Sequence, residues 1–149
     1  MVRRRALLGG LAAAGVWSMV QAQEVVVMGF ISAVAEGDPW DGLALAAFAE
    51  GLAVGGWVVD RNVRIVLRHP SGNEQAAREI AAELVGLEPD AIFAVTTPPT
   101  QALKALTATI PVVFANVSDP VGEGLVASFA RPGGNLTGFI NNPDGLGGK

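Results

Sequence analysis

Six residues have types and positions that suit reversible binding of a small polar solute: Ser32, Thr96, Thr97, Asn116, Asp119 and, as an aromatic neighbour, Trp40. Ser32, the Thr96-Thr97 pair and Asn116 each follow directly on an apolar run of strand length, and Asp119 lies three residues further on. Hydroxyls at strand ends, beside the unpaired amides of a following helix, hold a carboxylate, because donors and the positive end of the helix dipole converge there. For an amino-acid solute, Ser32, Thr96 and Thr97 would hold the carboxylate. Asp119 and the Asn116 carbonyl would face the ammonium, and Trp40 would lie against an apolar or aromatic side chain. The same residue types also cap helices and shape turns, and the two uses coexist.

Reactive chemistry has little to work with. The sole histidine, His69, is followed by Pro70, and a Ser32–His69–Asp119 set can be drawn. Yet no G-x-S-x-G elbow surrounds the serine, so the set lacks a nucleophile turn. Neither G-x-G-x-x-G nor a phosphate loop follows the first strand, and Gly133-Gly134-Asn135 precedes a strand, the wrong side for cradling a phosphate. There are no cysteines, which removes thiolate metal sites, a Cys nucleophile and any disulfide scaffold. Paired histidines and clustered carboxylates are missing as well. The expectation is a binding domain with no cofactor and no metal, not an enzyme.

The elements that must position these side chains alternate regularly. Strands are expected over residues 25–31, 62–67, 91–95, 112–115 and 136–140. Helices are expected over about 42–53, capped by Asp41, over 74–85, over 100–108 behind Pro98-Pro99, and over a short stretch at 122–128. Leu45, Phe48 and Leu52 share one face of the first helix; Ala77, Ile80, Ala81, Leu84 and Val85 form a stripe on the second. Strand–helix alternation with crossovers of this length predicts an α/β fold, a doubly wound parallel sheet wrapped by helices on both faces. Ligands of such sheets bind outside the carboxyl ends of the strands, where the six residues gather.

Charge and the first residues bear on location and partners. The chain has 149 residues and a net charge of −4, and no basic cluster follows Arg5, which argues against a nucleic-acid partner. Arg3-Arg4-Arg5, the apolar run 6–20 and the small-residue junction at Ala22 predict a secretory signal peptide over residues 1–22. The run is shorter than the ~20 residues of a membrane span. Removing its three arginines takes the net charge from −4 to −7. Export places the product in the periplasm or outside the cell, without a lipid anchor, since no cysteine stands at the cleavage point. Arg4-Arg5 is also compatible with twin-arginine export.

One block carries a resemblance. Residues 118–138, SDPVGEGLVASFARPGGNLTG, together with Phe48, Gly51-Leu52, Gly56-Trp57, Asn62-Val63, Ile65 and Arg68, resemble the ABC transporter substrate-binding protein family of tryptophan/tyrosine type. That resemblance implies a type I periplasmic-binding lobe with strand order 2-1-3-4-5. It also implies an amino acid or related small organic solute, trapped between two lobes that close about a hinge, and a membrane ABC permease as partner. Residues 23–141 would form the first lobe, and 142–149 would begin the crossover to a second lobe that the 149 residues do not include. Thr96-Thr97-Pro98-Pro99 departs from the glycine-containing turn expected at that point, which bears on solute identity. The alternatives are an enzyme on a flavodoxin-like sheet, a hydrolase or transferase; a regulator with a helix-turn-helix ahead of the lobe, which the signal opposes; and a fragment that does not function alone.

Overall fold

In the computed structural model, residues 24–140 are described; the expected signal at 1–22 and the crossover at 142–149 lie outside them. The strands are β1 (Val26–Ile31), β2 (Val63–Arg68), β3 (Ala91–Val95), β4 (Val112–Ala115) and β5 (Leu136–Phe139). The helices are α1 (Pro39–Val54), α2 (Glu74–Gly86) and α3 (Thr97–Leu106). All neighbouring strands pair in parallel, in the order β2-β1-β3-β4-β5. The expected order and fold class therefore stand.

Alternation along the strands divides the sheet into two unequal faces. Ile31, Ile92, Ala94, Val112, Phe114 and Leu136 point to one side and form the main core with Ala81 and Leu84 of α2 and Leu103 of α3. Gly29 sits in this layer because a Cβ there would come within 3.3 Å of both Ile92 Cγ1 and Leu84 Cδ1. On the opposite side Phe30 and Phe93 receive Phe48 of α1, with ring centroids 5.0 and 4.8 Å from it. Right-handed crossovers explain the division: β1 to β2 runs one way along the sheet and β3 to β4 the other, so their helices land on opposite faces. Helix α1 has no fully buried residue, and a groove of about 520 Å³ opens between it and the sheet, floored by Phe93 and Val113 and edged by Phe139.

Local chemistry sets the helix ends. Asp38, not Asp41, caps α1: its Oδ1 accepts from the Trp40 amide at 2.8 Å and Pro39 occupies the first helical position, the place where its missing N–H costs nothing. Asn73 caps α2 by accepting from the amides of Gln75 and Ala76. Helix α3 begins at Thr97, three residues earlier than the proline pair suggested, because both prolines fit within its first turn.

The expected helix at 122–128 does not form. That stretch is a series of turns, with Leu125 N–H bonded to the Pro120 carbonyl at 2.8 Å and Gly124 at φ 66°. Two glycines in three residues weaken a helix, and a left-handed residue ends one. Turns instead bury Leu125 and Val126 side by side against the core. Lys104 Nζ on α3 donates to the Gly124 carbonyl, and Gln101 Nε2 donates to Glu123 Oε2 at 2.5 Å, fastening the loop to the helix.

Candidate functional site

The order of the strands puts a crevice between β1 and β3. The chain leaves β1 toward β2 and leaves β3 toward β4, in opposite directions, and such a reversal point is where ligands of open parallel sheets bind. Ile31 pairs with Ala94, so both strands end at nearly the same level. Ser32 follows one and Thr96 the other. A cavity of about 330 Å³ lies there on the α1 side, lined by Ser32, Val34, Trp40, Leu43 and Val95 among others. That volume lies at the lower end of the range for small-molecule sites.

Ser32 is buried and committed. Its hydroxyl donates to Asp41 Oδ1 at 2.7 Å, and its backbone N–H donates to the Arg68 carbonyl. The second oxygen of Asp41, Oδ2, lies 2.8 Å from His69 Nε2, and both side chains are 13% exposed. The hydrogen bond from Ser32 is the main reason the Asp41 carboxyl is held below the usual aspartate range; burial opposes it and His69 adds to it. The carboxylate stands between serine and histidine, whereas a Ser-His-Asp triad requires the histidine in the middle. Ser32, Asp41 and His69 thus form a brace that joins β1, α1 and β2.

The hydroxyls at the end of β3 are differently placed. Thr96 and Thr97 are half-buried, and neither side chain takes part in a hydrogen bond among the described residues. Thr96 is the N-cap of α3 by position, yet its side chain does not cap. Its backbone has φ 80° and ψ 166°. The neighbouring strand end, Asn116, is exposed and left-handed at φ 57°, a conformation asparagine tolerates. Asp119 is also exposed, and its Oδ1 accepts from the Gly122 amide at 2.8 Å. Trp40 leaves 71% of its surface open, on the rim of the cavity.

The structure therefore brings Ser32 and Trp40 to one cavity, whose wall ends at the residue before Thr96. Thr97 opens the adjacent helix, and Asn116 and Asp119 follow the next strand along. Sequence reasoning missed the roles of Asp41 and His69. The signal was positional: His69 follows β2 as Ser32 follows β1, and the register Ile31 to Arg68 sets those two ends side by side. Reading it requires knowing that β1 and β2 are neighbours.

Known proteins share this arrangement. The family model described as ABC transporter substrate binding protein matches residues 24–144. A tyrosine-binding protein of Clostridioides difficile (strain R20291) is 34% identical over 95 residues, covering 64% of the present chain and 28% of the relative. Among solved structures, an ABC domain from Streptococcus pneumonia in complex with L-Trp is similar at TM-score 0.70 and 29% identity, covering 78% of this chain and 39% of that one. The ligand-free, open structure of a substrate-binding protein with adhesive properties from Clostridium difficile is similar at TM-score 0.71 and 29% identity, covering 80% and 41%. The chain thus spans 28% of the curated relative's length and about two fifths of each of these two structures.

Proposed function

The chain belongs to the ABC transporter substrate binding protein family, and from that premise we propose that it serves as an extracytoplasmic solute-binding component of an ABC importer. The family is one of binding proteins, not enzymes. The solute is an amino acid or a related small organic acid, received at the carboxyl ends of the strands. Relatives described as binding tyrosine or crystallised with L-Trp support an aromatic amino acid. Residues 1–22 direct export to the periplasm or the cell exterior, and a membrane ABC permease is the partner that receives the loaded protein. Among the described residues no helix is long and apolar enough to cross a membrane.

One observation carries the choice of site: the unengaged hydroxyls of Thr96 and Thr97 at the start of α3, next to the cavity at the β1–β3 reversal point. In this reading Thr96 and Thr97 donate to the solute carboxylate, helped by the dipole at the start of α3; since Pro98 and Pro99 carry no N–H, the hydroxyls and the Thr97 amide are the donors there. Asp119 and the Asn116 carbonyl face the ammonium, and Trp40 covers the side chain. Ser32 acts at one remove, holding Asp41 and through it the wall of the cavity.

A thermal-shift titration of the purified chain against a panel of amino acids, purines and small organic acids tests the proposal. A solute present at a hundredfold its dissociation constant adds about 2.7 kcal/mol of stability. An amino-acid-specific rise that Thr97→Ala abolishes supports both solute class and site. A panel that leaves the transition unmoved counts against the reading.

A further inference from the structure

We infer that Thr96 is a specificity-determining residue of this site, kept in a backbone conformation suited to glycine because its hydroxyl serves the solute carboxylate; the inference rests on the binding reading above. At φ 80° and ψ 166°, Thr96 occupies a region that is essentially confined to glycine. A β-branched residue is among the worst suited to it, since its Cβ substituents crowd the backbone at positive φ.

The fold explains the backbone and leaves the side chain unexplained. Thr96 N–H donates to the Ala115 carbonyl of β4 at 2.9 Å, and the Thr96 carbonyl accepts from the hydroxyl of the fully buried Thr100 at 2.7 Å. These two bonds over-determine the conformation, as strained positions require. Both end on backbone atoms of position 96, so a glycine would satisfy them equally and without strain. The Thr96 side chain neither caps α3 nor hydrogen-bonds among the described residues, and it is only half-buried. Sheet pairing, capping and core packing therefore give no reason for threonine.

Location supplies one. Thr96 directly follows Val95, which lines the 330 Å³ cavity, and it stands at the N-terminus of α3, where the helix dipole favours a carboxylate but Pro98 and Pro99 supply no N–H to bind it. There a hydroxyl adds a donor that glycine lacks. The class selected is a small solute bearing a carboxylate, an α-amino acid above all. Stability is given up at this position in exchange for that discrimination.

The test compares the full chain with Thr96→Gly, Thr96→Val and Thr96→Ser, using L-tyrosine and L-tryptophan as probes in calorimetric titrations and measuring the ligand-free melting temperature of each. Thr96→Gly is expected to melt about 3–6 °C higher, the shift that relief of such strain produces in a domain of this size. It should bind at least about tenfold more weakly. Thr96→Val, which keeps the shape and loses the hydroxyl, should weaken binding without the rise in melting temperature; Thr96→Ser should keep most of the affinity. Wild-type affinity in Thr96→Gly overturns this inference alone. So does a melting temperature that fails to rise, since the strain is its premise. A wild-type chain that binds neither amino acid overturns the aromatic amino-acid reading of the site, and this inference with it.

Discussion

Asp41 Oδ2 lies 2.8 Å from His69 Nε2, and this contact ties the first turn of α1 to the end of β2 across the top of the sheet. With Ser32 Oγ on the other carboxylate oxygen, one side chain fixes three elements around the candidate cavity. The Asp41 carboxyl is held below its ordinary range chiefly by the Ser32 hydrogen bond, so folding favours its ionised form. The unfolded chain then binds more protons in acid. The brace contributes in full above the ordinary aspartate value of about 4 and weakens as pH falls through the lower folded value. Asp41→Asn should cost about 1–2 kcal/mol at pH 7, by loss of the charged acceptor. That difference should shrink below about pH 4, as the wild-type carboxylate is protonated. Denaturant unfolding of both proteins between pH 3 and 7 checks this; a gap that stays constant across the range would count against the brace.

Helix α1 depends on one ring. None of its residues is fully buried, and Phe48, edge-on to Phe30 at 5.0 Å and tilted on Phe93 at 4.8 Å, is its main aromatic hold on the sheet. Phe48→Ala should destabilise the protein by about 2–3 kcal/mol, less than for a fully buried phenylalanine because the site is half open. Amides of α1 should lose protection from hydrogen exchange well before those of β1 and β3. Equal loss across helix and sheet would mean that α1 is docked by something other than this ring cluster. Since Trp40 and Leu43 on α1 line the candidate cavity, the variant should also weaken solute binding.

The strands were legible because a parallel sheet covered by helices needs near-continuous apolar runs, and Ala91–Val95 and Val112–Ala115 fall where their patterns placed them. Strand order was carried by the family resemblance, since pairing between distant segments leaves no local trace. The start of α1 was misplaced by three residues although Pro39 marked it, because Asp41 also has the chemistry of a cap. In the 122–128 turns the apolar Leu125 and Val126 read as helical, while Gly124 at φ 66° decided otherwise. At the site, strand-end hydroxyls could be found by position alone. The Asp41–His69 contact could not, since it spans 28 residues and follows from the β1–β2 register. Nor could the conformation of Thr96, because threonine is a residue from which positive φ is not expected.

Gly138 has a packing role that its place on an edge strand conceals. A Cβ there would collide with the carbonyl oxygen and the ring of Phe114, its partner on β4, and Phe114 is buried in the core. Neither the backbone nor a buried ring yields easily, so Gly138→Ala should destabilise by about 1–3 kcal/mol. Gly51, in α1, meets no neighbour within 4 Å of a built Cβ. Gly51→Ala should therefore stabilise by about 0.5–1 kcal/mol through helix propensity. Urea unfolding of the pair separates the two cases; the same sign for both would refute the packing argument.

Asp119 has one role that the structure displays and one that the binding proposal adds, and they can be separated by a single atom. Its Oδ1 accepts from the Gly122 amide at 2.8 Å, which shapes the turn after β4. Asn at position 119 keeps a carbonyl oxygen for that bond and removes the charge. Asp119→Asn should therefore leave stability within about 0.5 kcal/mol of wild type. If the carboxylate faces the solute ammonium, affinity for an amino acid should still fall at least about tenfold, since a charge-assisted bond contributes about 1.5–3 kcal/mol. Asp119→Ala loses the turn as well and should lower both stability and affinity. Unchanged affinity in Asp119→Asn would confine Asp119 to the turn. The ammonium would then have to be met by backbone carbonyls at the strand ends, and the requirement for an amino group on the solute would rest on Asn116 alone among the residues assigned to it.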